Sequence, residues 1–369
     1  VIRVLVVDDS ALMRRLLGQI FASDPEFEVQ FARNGVEALD LVAAFDPHVV
    51  TLDINMPQMD GLACLDRIMV EAPRPVVMVS SLTAEGADAT LEALRLGAVD
   101  FVAKPAGAIS LHLDELRANL VGRVRAASQA RIRSSARLRD RIRHRIGGAA
   151  MAPTTRSSAP RAAAPRRPRP AGPEPVAAVG NGLVLVGTST GGPPALEALL
   201  TMLPADFPWP IVVAQHMPAA LTGALARRLD GLCAVTVTEV GRAVPLRPGH
   251  VYIGRGDADI VVARRPAGLI AMPQAADPDY PWHPSAERLV VSAMDHVAAA
   301  QLIGVLMTGM GSDGAQAMTV LHSQGGRTIA ESEDTAVVWG MPGELVRRGG
   351  ADWVLPLPEI GPRLVRLAP

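Results

Sequence analysis

Cysteine is nearly absent: the 369 residues contain two, Cys64 and Cys233. Two thiols so far apart offer no disulfide framework and suit a reducing compartment. Long apolar runs are missing too, and none reaches the roughly 18 residues that a membrane-spanning helix needs. The opening VIRVLVVDDS lacks the layout of a secretory leader, because two acids follow directly on an apolar strand. Together these absences lead us to expect a cytoplasmic protein.

What is present is apolar content, 49% of residues against 20% charged, in a chain long enough for two domains with sizeable cores. The net charge of −1 hides an asymmetry. Residues 117–175 hold fifteen arginines against Asp140 and Glu174, a local charge of +13. Such a block can bind nucleic acid, yet it has no interleaved aromatic residues and no recognition motif. It reads as a solvated linker drawn toward acidic domains, and no DNA partner is expected.

Residues 1–127 alternate in the βαβ manner. IRVLVV, VQFAR, HVVTLDI, PVVMVSS and AVDFVAK have the near-continuous apolar runs of buried parallel strands. Helix patterns fall at 10–22, 35–44, 60–70, 85–96 and from 110 onward. This implies a doubly wound five-stranded sheet. Leu138, Ile142 and Ile146 recur at four-residue spacing and extend the last helix pattern. From Gly147 the composition falls to Ala, Pro, Ser and Arg, which reads as a disordered, partly extended tether kept stiff by its prolines. We place the linker at 128–181. A second, mostly parallel α/β domain occupies 182–369, with strands at 183–187, 210–214, 234–239, 250–254, 259–263, 302–307 and 327–330. Its helices are expected at 193–203, 218–229, 284–299, 314–324 and 343–348, and hairpins with long loops at 241–281.

Ligands of a doubly wound sheet gather at the carboxyl ends of its strands. In the first domain those ends carry Asp8 and Asp9, Asp53, Ser80, and Lys104 followed by Pro105. Asp8 and Asp9 could simply cap a helix, and Asp53 could be a turn residue. Three converging carboxylates are costly unless a hard divalent cation such as Mg²⁺ joins them. A hydroxyl and a lysine on the same edge can then hold phosphoryl oxygens.

The set resembles a response-regulator receiver domain. That resemblance implies that Asp53 accepts a phosphoryl group from a histidine kinase. It assigns Mg²⁺ to Asp8, Asp9 and Asp53 with the Asn55 backbone, phosphoryl reading to Ser80 and Lys104, and a switch position to Phe101.

In the second domain a strand runs into VGTSTGG, Val186–Gly192. A phosphate-binding Walker loop would need lysine where Pro193 stands, and a dinucleotide fingerprint would need glycine at Ser189. The remaining readings are a capping serine and a G-x-S-x-G turn, which exposes Ser189 between strand and helix. A serine hydroxyl needs a base. The strand PIVVAQHMP ends at His216, and LIGVLMTGMGSDG leads into Asp313. Three strand ends thus supply a serine, a histidine and an aspartate, the makings of a triad. The α/β-hydrolase order Ser, Asp, His would instead use Asp257 or Asp259 with His283, His296 or His322.

VGTSTGG, QHMP and LMTGMGSDGAQAM, behind a receiver-like domain and a tether, resemble the chemotaxis response-regulator protein-glutamate methylesterases. The resemblance implies Ser189 as nucleophile, His216 as base and acid, Asp313 as orienting carboxylate, the Met310 amide in the oxyanion hole, Thr190 as support, and no cofactor in the esterase site. The substrates would be methylated glutamates, and also glutamines, of methyl-accepting chemotaxis receptors. An unphosphorylated receiver would cover the cleft of a monomer that meets the membrane only through those receptors. Thr188, Arg255, Asp259 and His283 depart from the family pattern. A second reading is a catalytically weak paralogue that serves as an adaptor in another chemosensory system.

Overall fold

The computed structural model describes residues 1–80, 83–104, 113–132 and 182–368. The tether, the Leu138–Ile142–Ile146 stripe and Pro105 lie outside the described residues.

The first unit has strands β1 (Ile2–Val7), β2 (Phe27–Ala32), β3 (Val49–Asp53), β4 (Val76–Ser80) and β5 (Asp100–Ala103). They pair in parallel in the order β2-β1-β3-β4-β5. Helices α1 (Ala11–Ala22), α2 (Gly35–Phe45), α3 (Gly61–Glu71), α4 (Ala84–Leu96) and α5 (Leu113–Ser128) connect the strands and follow the last one. Local chemistry sets the helix starts: Ser10, Asn34, Asp60 and Thr83 each accept a hydrogen bond from a first-turn amide. β3 and β4 are buried at every position, as their apolar runs require.

The second unit holds β6 (Leu183–Thr188), β7 (Ile211–Gln215), β8 (Thr236–Val240), β9 (Val244–Pro245), β10 (His250–Gly254), β11 (Ala258–Arg265), β12 (Gly268–Ala275), β13 (Leu302–Leu306), β14 (Arg327–Glu331) and β15 (Trp353–Leu355). Its helices are α6 (Gly192–Leu200), α7 (Ala219–Leu232), α8 (Ala286–Met294), α9 (Ala315–Ser323), α10 (Met341–Arg347) and α11 (Leu357–Leu367). Seven strands form a parallel sheet ordered β15-β14-β13-β6-β7-β10-β8, and β11-β12-β9 form a small antiparallel sheet.

The expected hairpin region resolves into the β11–β12 pair. The expected helix at 284–299 stops at Met294. β15 and α11 were not legible in the sequence. Pro362 interrupts the helical pattern of α11, but burial of Ile360 and Leu364 against the body of the domain holds that helix together.

One apolar cluster spans both units and joins Leu91 and Leu94 of α4 to Leu196 of α6 and Leu225 of α7. Among the described residues, no helix is long and apolar enough to cross a membrane.

Candidate active site and phosphoacceptor pocket

The acidic pocket forms where β1 and β3, paired side by side, reach their carboxyl ends. Oxygens of Asp8, Asp9 and Asp53 lie within 4.8 Å of one another. Asp8 and Asp53 are buried, whereas Asn55 is exposed just beyond β3. Lys104, the single lysine of the chain, places Nζ 2.9 Å from Asp8 Oδ2 and 2.8 Å from Asp53 Oδ2. Burial pushes the Asp53 carboxyl above its ordinary range, helped by the neighbouring Asp8 charge, and the bond from Lys104 offsets part of this.

Ser80 is buried at the end of β4, and its carbonyl accepts the Lys104 amide at 2.8 Å. Phe101 is buried on β5 with the Arg123 guanidinium 5.5 Å from its ring centroid. Gly61 explains the approach of α3 to this pocket: a Cβ there would lie 2.0 Å from the Asp53 carbonyl oxygen.

The second site lies at the carboxyl edge of the large sheet, where β6 is flanked by β13 and β7. Register pairs Thr188 with Gln215, so Ser189 and His216 leave adjacent parallel strands together. Their turns are tied by the backbone, with the His216 amide donating to the Thr188 carbonyl and the Ser189 amide to the Thr308 carbonyl, both at 3.0 Å. Gly191, in the left-handed region at φ 76°, precedes α6, and prolines occupy its first turn. Gly309 permits the closest approach of β13's loop, since a Cβ there would meet Ser189 Cβ at 2.7 Å and Met341 Sδ at 2.4 Å.

His216 Nε2 lies 2.7 Å from Asp313 Oδ2, and Nδ1 is buried without a hydrogen-bond partner. Among the described residues, no hydrogen bond joins Ser189 Oγ to the imidazole. Asp313 also accepts from Ser285 Oγ (2.9 Å), Ala286 N (2.6 Å) and Glu287 N (3.1 Å) at the start of α8. Burial favours its neutral form, but the His216 bond and the α8 donors outweigh it and hold the carboxyl below its ordinary range. The Met310 amide donates to no group among the described residues.

The hydrolase-order partners fare differently. Asp259 and His283 pair at 2.9 Å, but neither bonds to Ser189. Asp257 accepts the Ala219 amide, the His296 carbonyl takes a bond from Arg264, and His322 lies by Asp352. Arg255 is exposed just past β10.

Residues 184–364 match the family model described as CheB methylesterase, and residues 4–114 match that of the response regulator receiver domain. A Rhodopseudomonas palustris (strain BisB18) protein named protein-glutamate methylesterase/protein-glutamine glutaminase 2 is 60% identical over 99% of this chain and 97% of its own length. Another from Rhodospirillum rubrum, named protein-glutamate methylesterase/protein-glutamine glutaminase 3, is 52% identical over 98% of this chain and 95% of its own. The chain belongs to the CheB methylesterase family.

In this CheB methylesterase the receiver half lies over the esterase half. The Gly191 amide donates to the Val99 carbonyl at 3.2 Å, and Thr190 Oγ1 donates to Asp100 Oδ2 at 2.5 Å. Asp100 Oδ1 accepts from Arg123 Nη1 (2.5 Å) and the Phe101 amide (2.8 Å). All three of Asp100, Arg123 and Thr190 are buried. α5 brings Gly122 to Met310, and a cleft of about 570 Å³ remains between α5 and the loops around Met310 and Trp339. Ser189 and His216 are 4% and 3% exposed.

Sequence reasoning overlooked several residues that hold the CheB site together. Gln215 Nε2 donates to the carbonyls of both Ser189 and His216 (3.0 and 3.1 Å). Thr308 Oγ1 donates to the Thr190 carbonyl at 2.8 Å. Trp282 stacks on His216, with centroids 5.8 Å apart and planes at 12°. Gln215 stands in the quoted QHMP motif and Thr308 in LMTGMG, so position at a strand end was their one available signal. Nothing local marks Ser285, Trp282 or Asp100.

Proposed function

We propose that this chain, read as a receiver domain (1–127), a linker (128–181) and a catalytic domain (182–369), hydrolyses glutamate methyl esters, and deamidates glutamines, on methyl-accepting chemotaxis receptors. The hydrogen bond between His216 Nε2 and Asp313 carries the reading. With Nε2–H given to Asp313, the other ring nitrogen of a neutral imidazole is left as the base. His216 Nδ1, which has no other partner, takes the Ser189 proton as Oγ attacks the ester carbonyl. The Met310 amide stabilises the oxyanion, and Thr190 supports the turn.

His216 then protonates departing methanol, or ammonia when the substrate is a glutamine, leaving an acyl-enzyme. Water deprotonated by His216 releases the carboxylate and restores Ser189. The esterase chemistry needs no cofactor. The Ser189–His216 hydrogen bond forms when the receiver lifts and substrate enters, since catalytic contacts commonly tighten in the substrate complex.

Control comes from the receiver. The donor set of Asp8, Asp9, Asp53 and the Asn55 backbone fits Mg²⁺, whose charge offsets that of an incoming phosphoryl group. A histidine kinase passes that group to Asp53. Lys104 exchanges its bond with Asp53 for phosphoryl oxygens, and Ser80 contributes its hydroxyl. Phe101, adjacent to Asp100, couples this change to the contact with Thr190, and the docked arrangement loosens. A monomeric cytoplasmic enzyme suits these partners. Relatives named as enzymes disfavour the adaptor reading.

The test is methanol release from methylated receptor in the presence of a small phosphodonor. Ser189→Ala is expected to abolish it, and equal rates for the two proteins would refute the assignment.

A further inference from the structure

Asp259 is the second residue of β11, and its side chain is wholly buried. Oδ1 accepts from Ser285 N at 2.7 Å and His283 Nδ1 at 2.9 Å. Oδ2 accepts from Arg288 Nη1 at 2.5 Å and Asp277 N at 3.3 Å. The carboxylate touches none of Ser189, His216 and Asp313. Three of its four partners lie in one stretch of chain, residues 283–288, which the carboxylate grips from both ends.

That stretch, with Trp282 before it, encloses the His216–Asp313 pair. Trp282 lies flat against the imidazole, while Ser285, Ala286 and Glu287 supply three of the four hydrogen bonds that Asp313 accepts. A buried ion cluster adds little stability relative to an apolar filling, so its better-attested return is a fixed geometry. The geometry fixed here is that of the groups holding Asp313 and one face of His216.

We propose that Asp259 is a positioning residue for the hydrolytic centre, acting through Ser285 and Trp282 to keep Asp313 and the His216 ring aligned with Ser189. The proposal rests on the assignment of Ser189, His216 and Asp313 made above. It predicts that loss of the Asp259 charge slows the activation of Ser189 without removing the site.

A fluorophosphonate probe reads this in the full-length chain. Ser189 Oγ forms the P–O bond, fluoride leaves, and His216 accepts the serine proton, so the rate constant reports activation and the endpoint reports the fraction of folded sites. With a small phosphodonor present, Asp259→Asn should label to the same endpoint as the unaltered chain, with a rate constant lower by about tenfold. Loss of an orienting partner has an effect of that size at metal-bound histidines. Ser285→Ala, which removes one of Asp313's four donors, should slow labelling several-fold.

An Asp259→Asn chain that labels at the unaltered rate constant, whatever its endpoint, would show a purely structural carboxylate and overturn the proposal. If Asp259→Asn does not fold, Ser285→Ala decides, and an unaltered rate constant there overturns it equally. Ser189→Ala separates the two levels. Labelling of that variant as fast as the unaltered chain sinks the triad and this inference together, whereas an inert Ser189→Ala beside a normal Asp259→Asn sinks this inference alone.

Discussion

Replacing Asp100 with asparagine should partly free the esterase turn without phosphorylation. The carboxylate joins the two halves: Oδ1 serves the receiver through Arg123 and the Phe101 amide, and Oδ2 accepts the Thr190 hydroxyl. In Asp100→Asn the side-chain oxygen remains with its two receiver donors, and the new amide group faces Thr190. The hydroxyl can rotate to accept from it, so a bond survives but is no longer charge-assisted. Bonds to charged groups contribute about 1.5–3 kcal/mol and neutral ones about 0.5–1.5. The closed arrangement therefore weakens by about 1–1.4 kcal/mol, which moves the closed-to-open ratio about five- to tenfold. Methanol release without phosphodonor should rise by that factor, while the fully activated rate stays within about twofold of the unaltered chain. An unphosphorylated rate identical to that of the unaltered chain, in a variant whose Asp53 still takes up phosphate, would refute the latch.

Other perturbations separate control from chemistry. Asp53→Asn should retain the basal rate and lose the response to phosphodonor, measured by methanol release and phosphate incorporation together. Chelating divalent cations should do the same to the unaltered chain, because an incoming phosphoryl group would then meet the Asp8, Asp9 and Asp53 carboxylates with only Lys104 to offset its charge. The acid limb of stability should carry the mark of Asp259. Burial raises its carboxyl pKa, but His283, Ser285 and Arg288 more than reverse that, so the folded value lies below the unfolded one. Its contribution is present above the unfolded pKa of about 3.9 and is lost as pH falls through the folded value. Urea midpoints measured from pH 6 downward should therefore decline less steeply in Asp259→Asn. Gly309→Ala should lower the rate of methanol release under full activation, because its methyl group would press on Ser189 Cβ and Met341 Sδ.

The receiver sheet was legible because its central strands β3 and β4 are buried at every position, where a continuous apolar run is the physical requirement, and because caps such as Asn34 and Asp60 mark helix starts locally. The strand ends carrying Asp53, Lys104, Ser189 and His216 were legible for the same reason: in a parallel sheet all carboxyl ends share one edge, so order along the chain already implies convergence. β15 and α11 were hidden, since a three-residue strand and a proline-interrupted helix exist through contacts rather than local propensity.

By itself, then, the sequence determined two parallel α/β units and which side chains stand at their working edges. Tertiary structure alone decided which histidine nitrogen faces Asp313, that Asp259 and Ser285 brace that pair, and that Asp100 fastens to Thr190 across ninety residues. Those facts depend on rotamers and on the packing of one unit against the other. Side-chain partners so distant along the chain leave no periodicity, cap or turn residue that could announce them.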